Sequence, residues 1–294
     1  SMWLPDAYSY SGIIVSVLLA GIGTKAGLIG LIRLSVLPQI DELLLALGVL
    51  TGIIGGIFAI LAREPKRILA FSSISQVGYV LIGVGMGTSL AILAASLHIF
   101  FHGLFKGLLF LSVGHAEVGD KDIYEDTFSS VPLVSKIGLA VGSLSIMAIP
   151  PFSGYFSKAL LLEESGQGWV WWSILAIGFF TVVYFLELDR KLLFGSLTKG
   201  FNPRDLPLIG LALVVGLSVL VGFVVLGVPG TIHLMAPRHL AITSSLIPLG
   251  AFVGFLLINR VEKVKTPNFL FDLDNALISI FTGFLFIVST LVFV

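Results

Sequence analysis

Apolar residues run along this chain in long, nearly unbroken stretches rather than in short alternating ones. Nine stretches can be marked, near 11–33, 43–62, 67–87, 90–114, 132–164, 169–188, 206–226, 242–259 and 274–294. Most approach the ~20 residues a helix needs to cross a hydrocarbon core of about 30 Å. The fifth is too long for one straight helix, since at helical rise it would reach roughly 48 Å. It also contains Pro150-Pro151, followed by Ser153 and Gly154. Proline removes a backbone donor and clashes with the preceding turn, so this stretch is expected to form a broken helix with an irregular middle. At membrane depth such a break is tolerated only where protein buries it or where it lines a wet cavity. The pattern predicts an all-α polytopic membrane protein with about nine transmembrane helices, one of them broken.

Composition supports that class. Of 294 residues, 56% are hydrophobic and 12% charged, against about 25% charged in a soluble domain. Cysteine is absent, which excludes disulfides, thiolate catalysis and cysteine-ligated metals. The zero formal net charge gives no footprint for nucleic acid. Ser1–Tyr10 lacks the basic stretch of a signal peptide. The absence of a leading Met carries the expectation of a processed or truncated product. No linker divides the chain, so residues 1–294 read as one membrane domain, with 115–131 as a polar surface loop or amphipathic helix.

Charge in the loops orients the spans. The loops after the second, fourth, sixth and eighth carry Arg63, Lys66, Arg67, Lys121, Arg190, Lys191, Lys199, Arg204, Arg260, Lys263 and Lys265. Those on the other side carry Arg33 and Arg238. The positive-inside rule then predicts a multi-pass protein of the cell (plasma) membrane, with Ser1 cytoplasmic and Val294 outside.

Ionisable residues inside spans are the informative ones, because a charge at the bilayer centre costs at least ~2.5–3.5 kcal/mol. Lys25 lies among Gly21, Gly23, Thr24 and Gly27, roughly 12 Å from the span end at Arg33. Small neighbours suggest a close helix contact rather than a lipid face. In the fourth span His98, His102 and Lys106 follow at intervals of four, which places them on one helical stripe. Stacked imidazoles and a lysine suit proton relay, although hydrogen-bonded core histidines would give the same spacing. Lys158 follows the predicted break, where freed backbone attracts ions and water; a shallower break would make it a loop lysine. Lys25 could equally be a structural ion-pair partner. Ser72, Ser73, Ser75 and Gln76 form an uncharged polar stripe suited to water or to a neighbouring helix. Glu187, Asp189 and Arg190 read as a solvated helix terminus.

Four segments carry a resemblance. Trp3-Leu-Pro-Asp-Ala7 and Lys66-Arg-Ile-Leu-Ala-Phe-Ser-Ser-Ile-Ser-Gln-Val-Gly78 are the first two. His98-Ile-Phe-Phe-His102-Gly-Leu-Phe-Lys106 and Ile149-Pro-Pro-Phe-Ser-Gly-Tyr-Phe-Ser-Lys158 complete the set. In this order they resemble the proton-conducting antiporter-like subunits of respiratory complex I, the Mrp sodium/proton antiporters and the membrane-bound hydrogenases. The resemblance implies inverted repeats of five helices, each with a broken helix. Residues 1–42 would hold the last helix of a first repeat, 43–188 a whole second repeat, and 189–294 peripheral helices. It also implies roles: Lys25 connects half-channels, His98, His102 and Lys106 form the central relay, and Lys158 gates the outer half-channel. Pro150, Pro151 and Gly154 would shape the break.

A complete family member has about seven helices before the position of Trp3. The expectation is therefore the C-terminal part of a longer subunit, or a split half, that does not pump alone. The expected function is H⁺ or Na⁺ translocation in a redox-driven or antiporter complex, with no catalytic site, cofactor or metal in this chain. Expected partners are other membrane subunits, including one supplying the missing N-terminal half, and the lipid bilayer. The alternatives are a secondary transporter of a small solute and a structural, non-pumping half-subunit.

Overall fold

The computed structural model describes residues 3–34, 40–116, 130–193 and 196–198, with 210, 249, 250, 252 and 253. Among them the elements are α1 (Leu4–Tyr10), α2 (Ile13–Leu18), a π-helical turn (Leu19–Gly23), α3 (Thr24–Leu34), α4 (Asp41–Leu61), α5 (Pro65–Gly85) and α6 (Ser89–His115). There follow β1 (Ser130–Pro132), α7 (Leu133–Ile146), α8 (Ser153–Glu164), α9 (Trp169–Leu193) and β2 (Ser196–Thr198). Five segments among the described residues are long and apolar enough to cross a membrane: Ile13–Arg33, Asp41–Leu61, Pro65–Gly85, Ser89–His115 and Trp169–Arg190. The chain is a polytopic α-helical membrane protein. The two three-residue strands pair in parallel, a small departure from the all-α expectation. The expected spans 206–226, 242–259 and 274–294 lie outside the described residues, apart from the five isolated positions, as does most of the 115–131 loop.

Local chemistry sets the helix starts. Pro65 occupies the first turn of α5, where a missing N–H costs nothing. Thr88 caps α6 by accepting from the Ala91 amide at 3.1 Å. A five-residue π turn at Leu19–Gly23 interrupts the first span. Such turns often mark functional sites.

Glycine lets the helices meet. Gly48, Gly52 and Gly56 recur every fourth residue along one face of α4. A side chain at Gly78 of α5 would stand 2.6 Å from the Gly48 carbonyl and 2.6 Å from the Gly52 Cα. The backbones therefore touch, as small-residue membrane interfaces do, and Ser75 Oγ donates across the seam to the Gly52 carbonyl at 2.8 Å. From α9, Ile177 and Phe180 cover Gly52 and Gly56. α5 is thus held between its neighbours and is buried along nearly its whole length. Outward faces are apolar instead: Ile14, Val15, Leu18, Ile22, Leu43, Leu50 and Ile54 are exposed, as lipid contact requires.

The bundle has two chemically distinct ends. Linker Ala62–Glu64, the C-terminus of α6, the N-terminus of α7 and the C-terminus of α9 share one end. There His115 Nδ1 meets Ser135 Oγ at 2.8 Å and Lys136 Nζ donates to the Leu193 carbonyl at 2.8 Å. Arg63, Lys66, Arg67 and Arg190 make this the basic end. Asp41, Glu42, Glu163 and Glu164 lie at the other, where Thr88 Oγ1 donates to Glu164 Oε2 at 2.5 Å. Exposed Trp169 and Trp172 sit at this acidic end of α9, as interfacial anchors do.

Gly78→Val should lower the yield of folded protein sharply, by the ~1–3 kcal/mol or more that overpacking costs. Gly27→Ala, where nothing lies within 4 Å, should be neutral or mildly stabilising. Thermal unfolding of both variants in detergent checks this; equal midpoints would contradict the close-contact account.

Candidate functional site

The expected break in the 132–164 stretch is present. α7 ends at Ile146 and α8 begins at Ser153. In a continuous helix the Ile146 carbonyl would bond the amide of residue 150 and the Met147 carbonyl that of residue 151. Both positions are proline and supply no N–H. Ala148 turns the chain with φ 60°, and the Pro150-Pro151 bond is cis. Gly154 lies in the first turn of α8 rather than in the gap, pressed against the Ser145 carbonyl so closely that a Cβ would collide. The proline pair thus leaves carbonyls unpaired, and the glycine lets α8 start directly against α7.

Lys158 takes one of those carbonyls. Its Nζ donates to Ile146 O at 2.6 Å and lies 4.6 Å from the centre of the Tyr79 ring. The residue is 4% exposed, which removes the loop-lysine alternative. Beside it, Ser157 Oγ lies 3.0 Å from His98 Nδ1, so α8 and α6 meet where the row begins.

His98, His102 and Lys106 lie on the buried face of α6, at 0%, 4% and 0% exposure. The two imidazoles are 5.9 Å apart and inclined by 25°. Neither Nε2 has a hydrogen-bond partner among the described residues. Lys106 Nζ donates to the Leu69 carbonyl at 2.7 Å and to Ser72 Oγ. Ser72 and Ser73 also donate to Leu69 O, at 2.9 and 3.0 Å, so this carbonyl is a shared acceptor. Phe110 and Phe185 flank the ammonium at 6.0 and 5.6 Å. The remaining members of the polar stripe serve packing: Ser75 ties α5 to α4, and Gln76 Nε2 donates to Thr181 Oγ1 of α9 at 3.0 Å.

Lys25 stands just after the π turn. It is 6% exposed and donates to the Ala20 carbonyl and, at 3.0 Å, to Thr24 Oγ1. A side chain at Gly103 would stand 3.0 Å from the Gly21 carbonyl and 3.7 Å from Lys25 Cε. Glycine between His102 and Lys106 therefore admits the lysine to the α6 stripe. Among the described residues no carboxylate pairs with Lys25, Lys106 or Lys158. The ion-pair reading of Lys25 finds no partner among the described residues.

Sequence reasoning missed two contributors and misread a third. Tyr79 continues the α5 stripe Ser72–Gln76 at helical spacing, which was the available signal. Ser157 precedes Lys158 directly. Asp189 is not part of a solvated terminus: it is buried, and Ser143 Oγ of α7 donates to it at 2.9 Å. α7 packs over this turn of α9, which position in the chain alone does not reveal. Arg190 is exposed as expected at the helix end and pairs at 3.0 Å with Glu187, which is partly buried.

The protein-family model described as NADH:quinone oxidoreductase/Mrp antiporter, TM, matches residues 1–184. NADH-quinone oxidoreductase subunit N of Desulforudis audaxviator is 35% identical over 208 residues, 63% of this chain and 40% of that protein. NAD(P)H-quinone oxidoreductase chain 4 of Prochlorococcus marinus is 31% identical over 295 residues, 90% of this chain and 55% of that protein. The chain thus spans about half the length of these curated relatives. Among solved structures, the Mrp complex from Dietzia sp. contains a chain that superposes with a TM-score of 0.72 at 24% identity, over 94% of this chain and 35% of that one. A membrane-bound sulfane sulfur reductase, an archaeal respiratory membrane complex, contains one with a TM-score of 0.67 at 22% identity, over 86% and 53%. At these identities the structures bear on the fold, and the family follows from the sequence match over more than half of the chain. The chain belongs to the NADH:quinone oxidoreductase/Mrp antiporter transmembrane family.

Proposed function

We propose that this chain is an ion-translocating membrane subunit of a redox-driven or antiporter complex, moving H⁺ or Na⁺. The observation that carries the reading is the row itself. Lys106, His102 and His98 descend one face of α6, Lys25 enters beside Gly103, and Ser157 and Lys158 close the row at the helix break. All of these groups are buried, and none of the three lysines has a carboxylate partner among the described residues. A structural role would favour apolar residues or ion pairs at this depth.

Water carries the proton between neighbours in this reading, and the open Nε2 atoms of the histidines are its contact points. Charges along the row repel one another, so a proton on Lys25 disfavours one on Lys106, and an outgoing proton on Lys158 makes room for the next. The lysine–carbonyl contacts hold each amine in place without neutralising it.

The rest of the proposal follows the family. Residues 43–188 form a five-helix inverted-repeat unit within about nine spans, the first span belongs to a preceding repeat, and 189–294 add peripheral helices. The complex lies in the plasma membrane with Ser1 cytoplasmic and Val294 outside, in keeping with the basic and acidic ends of the bundle. Partner membrane subunits supply the driving force. The reading assigns no cofactor, metal or catalytic site to this chain.

Reconstituted in vesicles as the whole complex, Lys106→Ala or Lys158→Ala should cut ion translocation by roughly 100-fold, the scale of a lost positioned proton carrier. Translocation that survives both changes contradicts the relay and favours the structural half-subunit.

Stability should move the other way. Lys106→Met removes an unpaired buried charge and should leave the complex as stable or more stable, by up to ~3 kcal/mol. A clear fall in its thermal midpoint would instead assign Lys106 a structural role.

A further inference from the structure

One buried carboxyl group among the described residues has no place in the row described so far. Asp189 is 7% exposed, and Ser143 Oγ, 2.9 Å away, is its hydrogen-bond partner among the described residues. We propose that Asp189, held by Ser143 between α7 and α9, is the proton-exchange site that loads Lys106 from the basic end of the bundle. The inference rests on the relay proposed above and extends it by one member.

Position is the first argument. Asp189 is four residues from the end of α9 at Leu193, about 6 Å at helical rise. One turn deeper on the same helix, Phe185 lies 5.6 Å from Lys106 Nζ. From the basic end inward the order of ionisable groups is therefore Asp189, Lys106, His102, His98 and Lys158. Lys158 stands about 9 Å from the opposite end of α8 at Glu164. The other buried charged residues of the basic end, Lys66 and Lys136, are lysines, and Asp189 is the buried carboxyl there among the described residues. With it, the row has an exchange group near each end.

Chemistry is the second. Ser143 pins α7 to α9 through one oxygen, and an asparagine or threonine would accept the same hydrogen bond without an ionisable group. An unpaired carboxylate in an apolar helix seam is costly, so packing alone does not account for it. The charged groups on the helices that meet at this seam include Lys136 on α7 and Glu187 and Arg190 on its own helix, with Lys106 of α6 against Phe185 one turn deeper. Among the described residues none of them forms an ion pair with Asp189. The transfer balances simply. The carboxyl gives its proton through water to the Lys106 amine, leaving a carboxylate and an ammonium. Bulk water at the basic end then reprotonates the carboxylate as the ammonium passes its proton along α6.

The test uses the whole complex in vesicles. Asp189→Asn keeps the shape and an acceptor for Ser143, and should assemble normally while translocation falls at least ~tenfold. Asp189→Glu should restore most of the rate, and Ser143→Ala, which loses the pin and keeps the carboxyl, should retain most of it. Full transport in Asp189→Asn, with Lys106→Ala inactive, overturns the inference and leaves the relay standing. Full transport in both overturns the relay itself. If Asp189→Asn fails to assemble, the other two variants decide: transport in both supports proton loading. Assembly without transport in Ser143→Ala and Asp189→Glu alike assigns the pair a structural role and overturns it.

Discussion

An ammonium group cannot rest against hydrocarbon, and in this bundle each of the three lysines of the row reaches a main-chain carbonyl, with no carboxylate partner among the described residues. Lys25 takes the Ala20 carbonyl in a π turn, Lys106 the Leu69 carbonyl on α5, and Lys158 the Ile146 carbonyl at the end of α7. A carbonyl dipole orients the amine and offsets part of its desolvation, but it leaves the charge uncompensated. A lysine held in that way can still gain or lose a proton, whereas a tight ion pair would fix it in the charged state. Much of the architecture serves this one arrangement. Two of the three acceptors come from irregular backbone, which a membrane tolerates only inside protein or beside water.

Packing makes the irregularity possible. The glycine face of α4 brings α5 close and braces it against α9, which holds Leu69 and Ser72 where Lys106 can reach them. Gly154 lets α8 begin against the last carbonyls of α7, and Gly103 admits Lys25 to α6. At Gly48, Gly103 and Gly154 a methyl group would meet neighbouring backbone, and at Gly52 and Gly56 it would meet the Ile177 and Phe180 side chains.

Much of this was legible in the chain. Pro150-Pro151 announced the break, because two missing donors cannot continue a helix, and intervals of four placed His98, His102 and Lys106 on one stripe. The helices from α2 to α9 stand within a few residues of where the first six apolar runs put them. Partners were harder to read. Nothing local says that Lys106 meets Leu69, since that contact depends on how α5 is braced by α4 and α9. Nor does it say that Ser75 and Gln76 pack helices rather than join the row. The π turn leaves only the weak signal of Gly21 and Gly23. Asp189 was misread because a charge near a helix end is usually solvated, and only the docking of α7 buries it.

The central claim is that the groups along α6 and α8 form one hydrated row. A map of the assembled complex, at a resolution that shows ordered water, tests it most directly. The account predicts waters bridging Lys106, the Nε2 atoms of His102 and His98, and Lys158, with no apolar interruption longer than one hydrogen bond. A dry gap filled by side chains between His98 and Lys158, or between Lys106 and His102, would contradict it.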